Sequence, residues 1–397
     1  MKKGWQTKKL ADLVEVQNGY AFSSKDYSES GHFLMRIGNV QNGYISTADP
    51  KFIKLPADGS LQRFVLSEDD ILVSLTGNVG RVGVIQESHL PAALNQRVAR
   101  ISIRKDSPAT RELILLFLCS DWFREELIGA GHGAAQQNVS TKDLVEIEIP
   151  VPPLAEQQRI VGLLDEAFAG LATAKANAEK NLQNARALFE SHLQSVFTQR
   201  GPGWVEKKLE EIGKTQTGST PKTSDRSNYG DFISFVKPGD FNTDGTLDYD
   251  KDGLSESGTA GARIVPAGSV LMVCIGATIG KCGYCDQDVT TNQQVNALTP
   301  SDGSSNRFIY YQMLTETFQR KVIHSSGQAT LPIINKSKWS ALSVWLPPKV
   351  AEQRKIAAKF DALVEETQRL ARLYEQKLAA LEALKQSLLH QAFTGLL

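Results

Sequence analysis

The feature that most constrains this chain is that it is written twice. Gly4-Trp5 followed by Lys8-Lys9-Leu10 returns as Gly203-Trp204 followed by Lys207-Lys208-Leu209, an offset of 199 residues. Gly80-Arg81-Val82-Gly83 returns as Gly280-Lys281-Cys282-Gly283, after Leu75-Thr76-Gly77 in one copy and Cys274-Ile275-Gly276 in the other. Beyond the pairs Pro152-Pro153 and Pro347-Pro348, Ala155-Glu156-Gln157-Gln158-Arg159-Ile160 matches Ala351-Glu352-Gln353-Arg354-Lys355-Ile356. The offset of 196 then holds without a gap to Phe197-Thr198 and Phe393-Thr394. Chance does not keep register over some forty residues, so the fold is expected to consist of two like halves.

Each half has two parts. The first carries strand-like runs, Asp70 to Leu75 and Ser269 to Cys274, and a helix-like segment, Arg111 to Ile128 or Asn306 to Ile323. The second has no proline and is rich in good helix formers, which predicts one long helix. The expected domains are 1–153, a spacer helix 154–200, a second globule 201–348 and a second spacer helix 349–397. The fold class is α/β, in the sense of mixed α+β globular domains with long helices.

Ile160, Leu164, Ala167, Leu171, Ala174, Ala178, Leu182, Ala185 and Phe189 recur three or four residues apart, forming one apolar stripe. Ile356, Phe360, Leu363, Leu370, Tyr374, Leu378, Leu381, Leu384 and Leu388 form another. The natural core for each is the other helix, in a two-stranded coiled coil. A helix of this length rises about 67 Å, whereas a 150-residue globule is roughly 38 Å across. A parallel pair would require the second globule to bridge the whole rise, so the helices are expected to be antiparallel. The globules then become inverted copies about a pseudo-twofold axis, held apart by a stiff spacer of at most about 20 base pairs of duplex. Such a body suits two half-sites on DNA at constant spacing.

Charge gives this reading no help. The 44 Lys and Arg balance 44 Asp and Glu. Residues 1–150 carry 17 basic against 18 acidic side chains, and residues 200–348 carry 15 against 15. A nucleic-acid binder usually has a basic excess, so the basic groups are expected on one face, or a partner supplies much of the phosphate grip. Met1-Lys2-Lys3-Gly4-Trp5 leads into polar sequence, no apolar run reaches about 20 residues, and no membrane partner is expected; the expected location is the cytoplasm. Four cysteines do not make a disulfide framework. Cys282-Gly283-Tyr284-Cys285 has metal-ligand spacing without a second pair, so plain thiols and no metal are expected.

The openings "PPLAEQQRI" and "PPKVAEQRKI", the helix ends "SHLQSVFT" and "SLLHQAFTG", and "GDFISFVKPGDF" make the whole chain resemble the specificity subunits of type I restriction-modification systems. The resemblance implies two target recognition domains, each reading one part of a split double-stranded DNA target, with the gap fixed by the helices. It implies two methyltransferase subunits carrying S-adenosylmethionine and two restriction subunits using ATP and Mg2+, while this chain binds no cofactor and is not catalytic. The halves diverge, "VQNGYAFSSKDY" answering to "TQTGSTPKTSDRSNY" and Leu34-Met35-Arg36-Ile37-Gly38-Asn39 to Ile233-Ser234-Phe235-Val236-Lys237-Pro238, which implies two unlike half-sites.

The motifs expected of an enzyme are missing from the sequence. No acidic residue or Asn precedes either Pro-Pro pair, as an amine methyltransferase would need. Gly276 to Cys282 is one residue short of a phosphate loop and lacks its hydroxyl. No HExxH or GxSxG occurs. A stand-alone methyltransferase and a coiled coil that merely dimerises other factors are the rival readings.

Base edges are read by Arg, Lys, Asn and Gln, and phosphates by small polar groups. In the first globule the candidates are Gln17, Asn18, Tyr20, Ser23 and Lys25, then Arg36, Asn39, Asn78 and Arg81, then Asn95, Gln96 and Arg97, and finally Gln136, Gln137 and Asn138. In the second they are Thr217, Ser219, Thr220 and Lys222, then Lys237, Asp240 and Asn242, then Thr278 and Lys281, then Asn292, Gln293, Gln294 and Gln328. The plain alternative for any one of them is a satisfied turn or solvated group. Partner contacts are expected from Glu156, Gln157, Arg159, Glu352, Gln353 and Arg354, on helix faces that would otherwise be solvated.

Overall fold

The computed structural model describes residues 2–131, 138–242, 245–301, 303–327 and 331–397. The chain divides into two compact units, Met1–Ala178 with Gln376–Leu397, and Glu179–Glu375. Each unit thus contains one globule and a portion of both long helices.

In the first unit a four-stranded antiparallel sheet runs in the order Val82–Val84, Ile71–Ser74, Val98–Ile103, Val14–Asn18. Successive strand residues face opposite sides. Ile71, Val73 and Ile101 accordingly enter a core shared with helices, whereas Leu72 and Val98 pack with Met35 and Leu94 of a second sheet. That sheet has five short strands, with His32–Met35 and Ala92–Leu94 running parallel. The second unit repeats the plan, in the order Cys282–Tyr284, Val270–Val273, Val295–Pro300, Gly213–Thr217. There Val270 and Met272 face one core, and Leu271 and Val273 the other. Cys282 and Cys285 also fall in these two different clusters, and burial pushes the Cys285 thiol up to about 11.

A two-stranded ribbon brings the ends of each globule together, Gln6–Lys9 against Glu148–Val151 and Val205–Lys208 against Ser343–Leu346. The repeated Gly-Trp and Pro-Pro elements therefore belong to one local structure, written at both ends of the same segment.

Two expectations change. Arg111 to Ile128 is two helices, Arg111–Leu118 and Asp121–Gly129, and its counterpart is Asn306–Leu314 and Glu316–Ser325. Ser120 and Thr315 make the breaks, because their hydroxyls cap the backbone N–H of Phe123 and Phe318 and so start new helices. The expected match of Leu34 with Ile233 is also two residues out of register. Arg36 N–H bonds to Asn39 Oδ1 as Lys237 N–H bonds to Asp240 Oδ2, and Asn95 N–H bonds to Met35 O as Asn292 N–H bonds to Val236 O. Leu34 thus corresponds to Phe235.

The long helices span Leu154–Gln199 and Val350–Thr394. In the first unit Arg159 Nη2 donates to Leu397 O at 2.8 Å, and Lys385 Nζ lies 5.6 Å from the Phe168 ring centre. In the second, Arg186 pairs with Glu375 at 2.8 Å and Phe197 stacks on Phe360 at 5.8 Å. Numbering rises along one helix as it falls along the other, so the pair is antiparallel within each unit. Ile160, Leu164, Ala178 and Ala185 are buried as the stripe requires. Leu384 departs from it, being 47% exposed. The final turns direct Leu389, Ala392 and Phe393 into the globular core, and Leu384 lies about 140° around the helix from Leu389. No described helix is long and apolar enough to cross a membrane.

Candidate nucleic-acid interface

Backbone hydrogen bonds gather segments far apart in sequence into one knot of polar turns in each unit. In the first, Gly19 N–H bonds to Val98 O, Tyr20 N–H to Leu94 O and Gln96 N–H to Tyr20 O, at 3.2, 3.1 and 2.8 Å. Asn95 N–H reaches Met35 O at 3.2 Å, and Leu75 N–H reaches Arg97 O at 2.9 Å. Gly19 permits the close approach, since a Cβ there would lie 1.9 Å from Asn95 O. In the second unit Gly218 N–H bonds to Val295 O, Ser219 N–H to Thr291 O and Cys274 N–H to Gln294 O, at 3.1, 2.8 and 2.8 Å. Gly218 is as tightly placed, a Cβ there falling 2.2 Å from Thr291 O.

The structure thus brings together the candidates on the Asn18, Arg36, Asn95 and Asn138 turns, the last through a bridge between Thr76 and Asn138. Their side chains are not equally free. Asn39 is 1% exposed and spends its amide on Arg36 N–H, Ser46 O and Ala48 O. Asp240, 4% exposed, accepts from Lys237 N–H and pairs with Lys251. The expectation that these two contact DNA is corrected: each is consumed in shaping its own turn. Asn95 and Asn292 are likewise buried, each in the knot of its own unit.

Several candidates are held in place by neighbours. Gln17 donates to Arg63 O at 2.9 Å, and Asn18 donates to Thr141 Oγ1 at 3.2 Å. Arg36 is tied to Asp49 and Lys237 to Asp252, at 3.1 and 2.7 Å. Arg81 reaches Gln41 Oε1 at 2.7 Å, Lys281 reaches Phe241 O at 3.2 Å, and Asn242 reaches Thr246 Oγ1 at 3.0 Å. Thr217 donates to Asn296 Oδ1 at 2.7 Å, and Thr220 bonds to Gln293. Ser219 Oγ is buried with no partner among the described residues. Gln294 Oε1 accepts from Asn292 Nδ2 at 3.0 Å.

Ser23, Lys25, Asn78, Gln96, Lys222 and Thr278 are exposed. Tyr20 is 41% exposed and packs its ring against Phe22 and Phe64, centre to centre 4.9 and 5.4 Å. Gln136, Gln137 and Gln328 lie outside the described residues.

The helix openings divide in the same way. Gln157, fully buried, accepts from Thr110 N–H and donates to Pro108 O and Pro152 O, each at 2.8 Å. Gln353, 3% exposed, accepts from Ser305 N–H at 2.8 Å and donates to Pro347 O at 3.1 Å. These glutamines clamp the long helix to the start of the globule's helical pair, which corrects their assignment as partner contacts. Gln353→Ala leaves Ser305 N–H and Pro347 O unsatisfied, and is expected to cost about 1–3 kcal/mol; urea unfolding checks it, and a loss below about 0.5 kcal/mol would remove the clamp. Glu156 is held between Arg159 and Lys2, which together lower its carboxyl to about 2. Arg159, Glu352 and Arg354 are exposed.

Thr76 was missed. It is 7% exposed, and its hydroxyl meets both Asn138 Oδ1, at 3.0 Å, and Arg97 Nη1, at 3.2 Å. The signal for it is the exchange of Thr76 for Ile275 within the repeated Gly-rich segment.

Two diverged copies of one α/β domain, each ending in a long helix and gathering polar turns into one knot, define a duplicated recognition protein. The model of the type I restriction modification DNA specificity domain matches twice, at residues 2–182 and 202–382, and the chain belongs to that family. The type I restriction enzyme EcoBI specificity subunit of Escherichia coli is 23% identical, over 98% of this chain and 86% of that protein. The EcoAI specificity subunit of Escherichia coli is 29% identical, over 42% of this chain and 28% of that protein. Across several such curated relatives the matched region spans between 28% and 51% of their length. The fold also matches a chain of a structure described as the basis of complex assembly and conformational transition of the type I R-M system. That match has a TM-score of 0.77 and 20% identity, covering 99% of this chain and 98% of that one.

Proposed function

We propose that this chain is the target-reading subunit of a type I restriction-modification enzyme, binding an asymmetric two-part DNA sequence. Each globule reads one half-site through its knot of turns, and the antiparallel helices set the gap. The chain carries no catalysis of its own: methyltransferase subunits with S-adenosylmethionine, and restriction subunits with ATP and Mg2+, assemble on it in the cytoplasm. The observation that carries this reading is the double family match laid over two domains whose four-stranded antiparallel sheets share one strand order and whose exposed turns differ. Balanced charge supports a shared grip, in which the partners supply part of the phosphate contact.

Exchanging residues 1–150 for the equivalent segment of another such subunit is expected to replace one half-site and leave the other half-site and the gap unchanged, as read by mapping methylated adenines. Replacement of both half-sites, or methyl transfer by the purified chain alone, overturns the reading.

A further inference from the structure

The two knots are built on the same backbone bonds, and among the positions where they differ one stands out for its chemistry. Val98 N–H bonds to Asn95 O at 3.3 Å, and Val295 N–H bonds to Asn292 O at 3.1 Å, so each knot ends in a four-residue turn closed by the equivalent hydrogen bond. Its third residue is Arg97 in one unit and Gln294 in the other, and each gives its carbonyl to the matching strand, at Leu75 and Cys274.

Arg97 has φ +70°, a left-handed conformation that a long L side chain disfavours and that this turn position normally gives to glycine. Arg200 is also left-handed, but it follows the end of the first long helix, where such a residue is ordinary. Arg97 ends no helix, and Gln294 is not left-handed. Nη1 of Arg97 is held by Thr76 Oγ1 at 3.2 Å and Asn138 Oδ1 at 2.9 Å, while the residue as a whole is exposed. The paired positions of the second unit, which form the equivalent bridge, are Ile275 and Ile333. A polar cradle therefore accompanies the arginine and is replaced by hydrocarbon where the arginine is replaced. Strain kept at an exposed side chain, with a dedicated cradle, marks a group positioned for contact.

We infer that Arg97 is a specificity-determining residue of the first domain, presenting the free edge of its guanidinium to a guanine in the major groove of duplex DNA. The inference rests on the function proposed above. A planar fork with one nitrogen anchored keeps its other donors aimed, which suits the paired O6 and N7 acceptors of guanine. Gln294, at the matching position, carries an amide whose Oε1 accepts from Asn292 Nδ2, so the two domains would differ in what they present at this point.

The test uses the subunit assembled with its methyltransferase partners, at fixed salt. The probes are a duplex carrying the methylated target and a series with each base pair of the first half-site substituted in turn. Arg97→Gln is expected to flatten discrimination at one G·C pair by about tenfold or more, with the second half-site unaffected. Arg97→Gly, which relieves the left-handed strain, is expected to lose the same discrimination while melting within a few degrees of the parent. Equal weakening on every duplex would make Arg97 a phosphate contact or a purely structural group, and undiminished discrimination would remove it from the interface; either overturns the inference. A parent complex that binds all the duplexes equally would instead overturn the function beneath it.

Discussion

Four residues inserted after Ala178, matched by four inserted before Gln376, are expected to lengthen the unspecified gap of the recognised sequence by about 2 base pairs while both half-sites stay the same. Ala178 and Gln376 lie where the chain passes from one compact unit to the other along the two helices. Four helical residues add about 6 Å of rise, against about 3.4 Å per base pair. Lengthening both helices keeps the antiparallel partners opposite one another, with about 40° of added rotation for the seam to absorb. Methylation mapping reads the gap directly. An unchanged gap in an assembled, active complex contradicts the view that the helices act as a ruler.

The second large effect concerns what holds a globule to its helices. Leu389 is fully buried in a cluster with Ile160, Leu164 and Phe117. Leu389→Asp would place a carboxylate there without a partner and is expected to cost about 4 kcal/mol or more. Leu384→Asp, on a side chain 47% exposed, is expected to change stability by no more than about 0.5 kcal/mol. Urea unfolding of the two variants distinguishes them. Similar losses would mean that the seam follows the spacing of leucines in the sequence and not the packing described here.

That pair of variants marks the limit of periodicity as a guide. Leucines three and four residues apart place Leu381, Leu384 and Leu388 on one stripe, but the end of the helix serves two neighbours, the opposite helix and the globule. The demand of the globular core, through Leu389, Ala392 and Phe393, decides the rotation. The duplication was legible because both copies of a ribbon and a helix start must satisfy the same backbone. The role of Gln157 was not, because its partners Pro108 and Thr110 lie more than forty residues earlier in the chain.

The same holds for the interface. Polar turns could be picked out by residue type, and the fold does bring the Asn18, Arg36, Asn95 and Asn138 segments together. Which side chains are consumed internally depends on hydrogen bonds that only the assembled knot provides, as Asn39 and Asp240 illustrate. The register slip between Leu34 and Phe235 has a similar origin. The loops leading to these strands differ in length by two residues, and both runs are apolar enough to align in either register.

One duplicated chain that reads two separate half-sites must leave a divided pattern of methylation. Mapping every methylated adenine in the DNA of a host expressing this subunit with its methyltransferase partners tests it most directly. The expected result is a single asymmetric motif made of two unlike specified parts separated by a gap of constant length. Methylation confined to one continuous sequence, or to half-sites at varying separations, would contradict it.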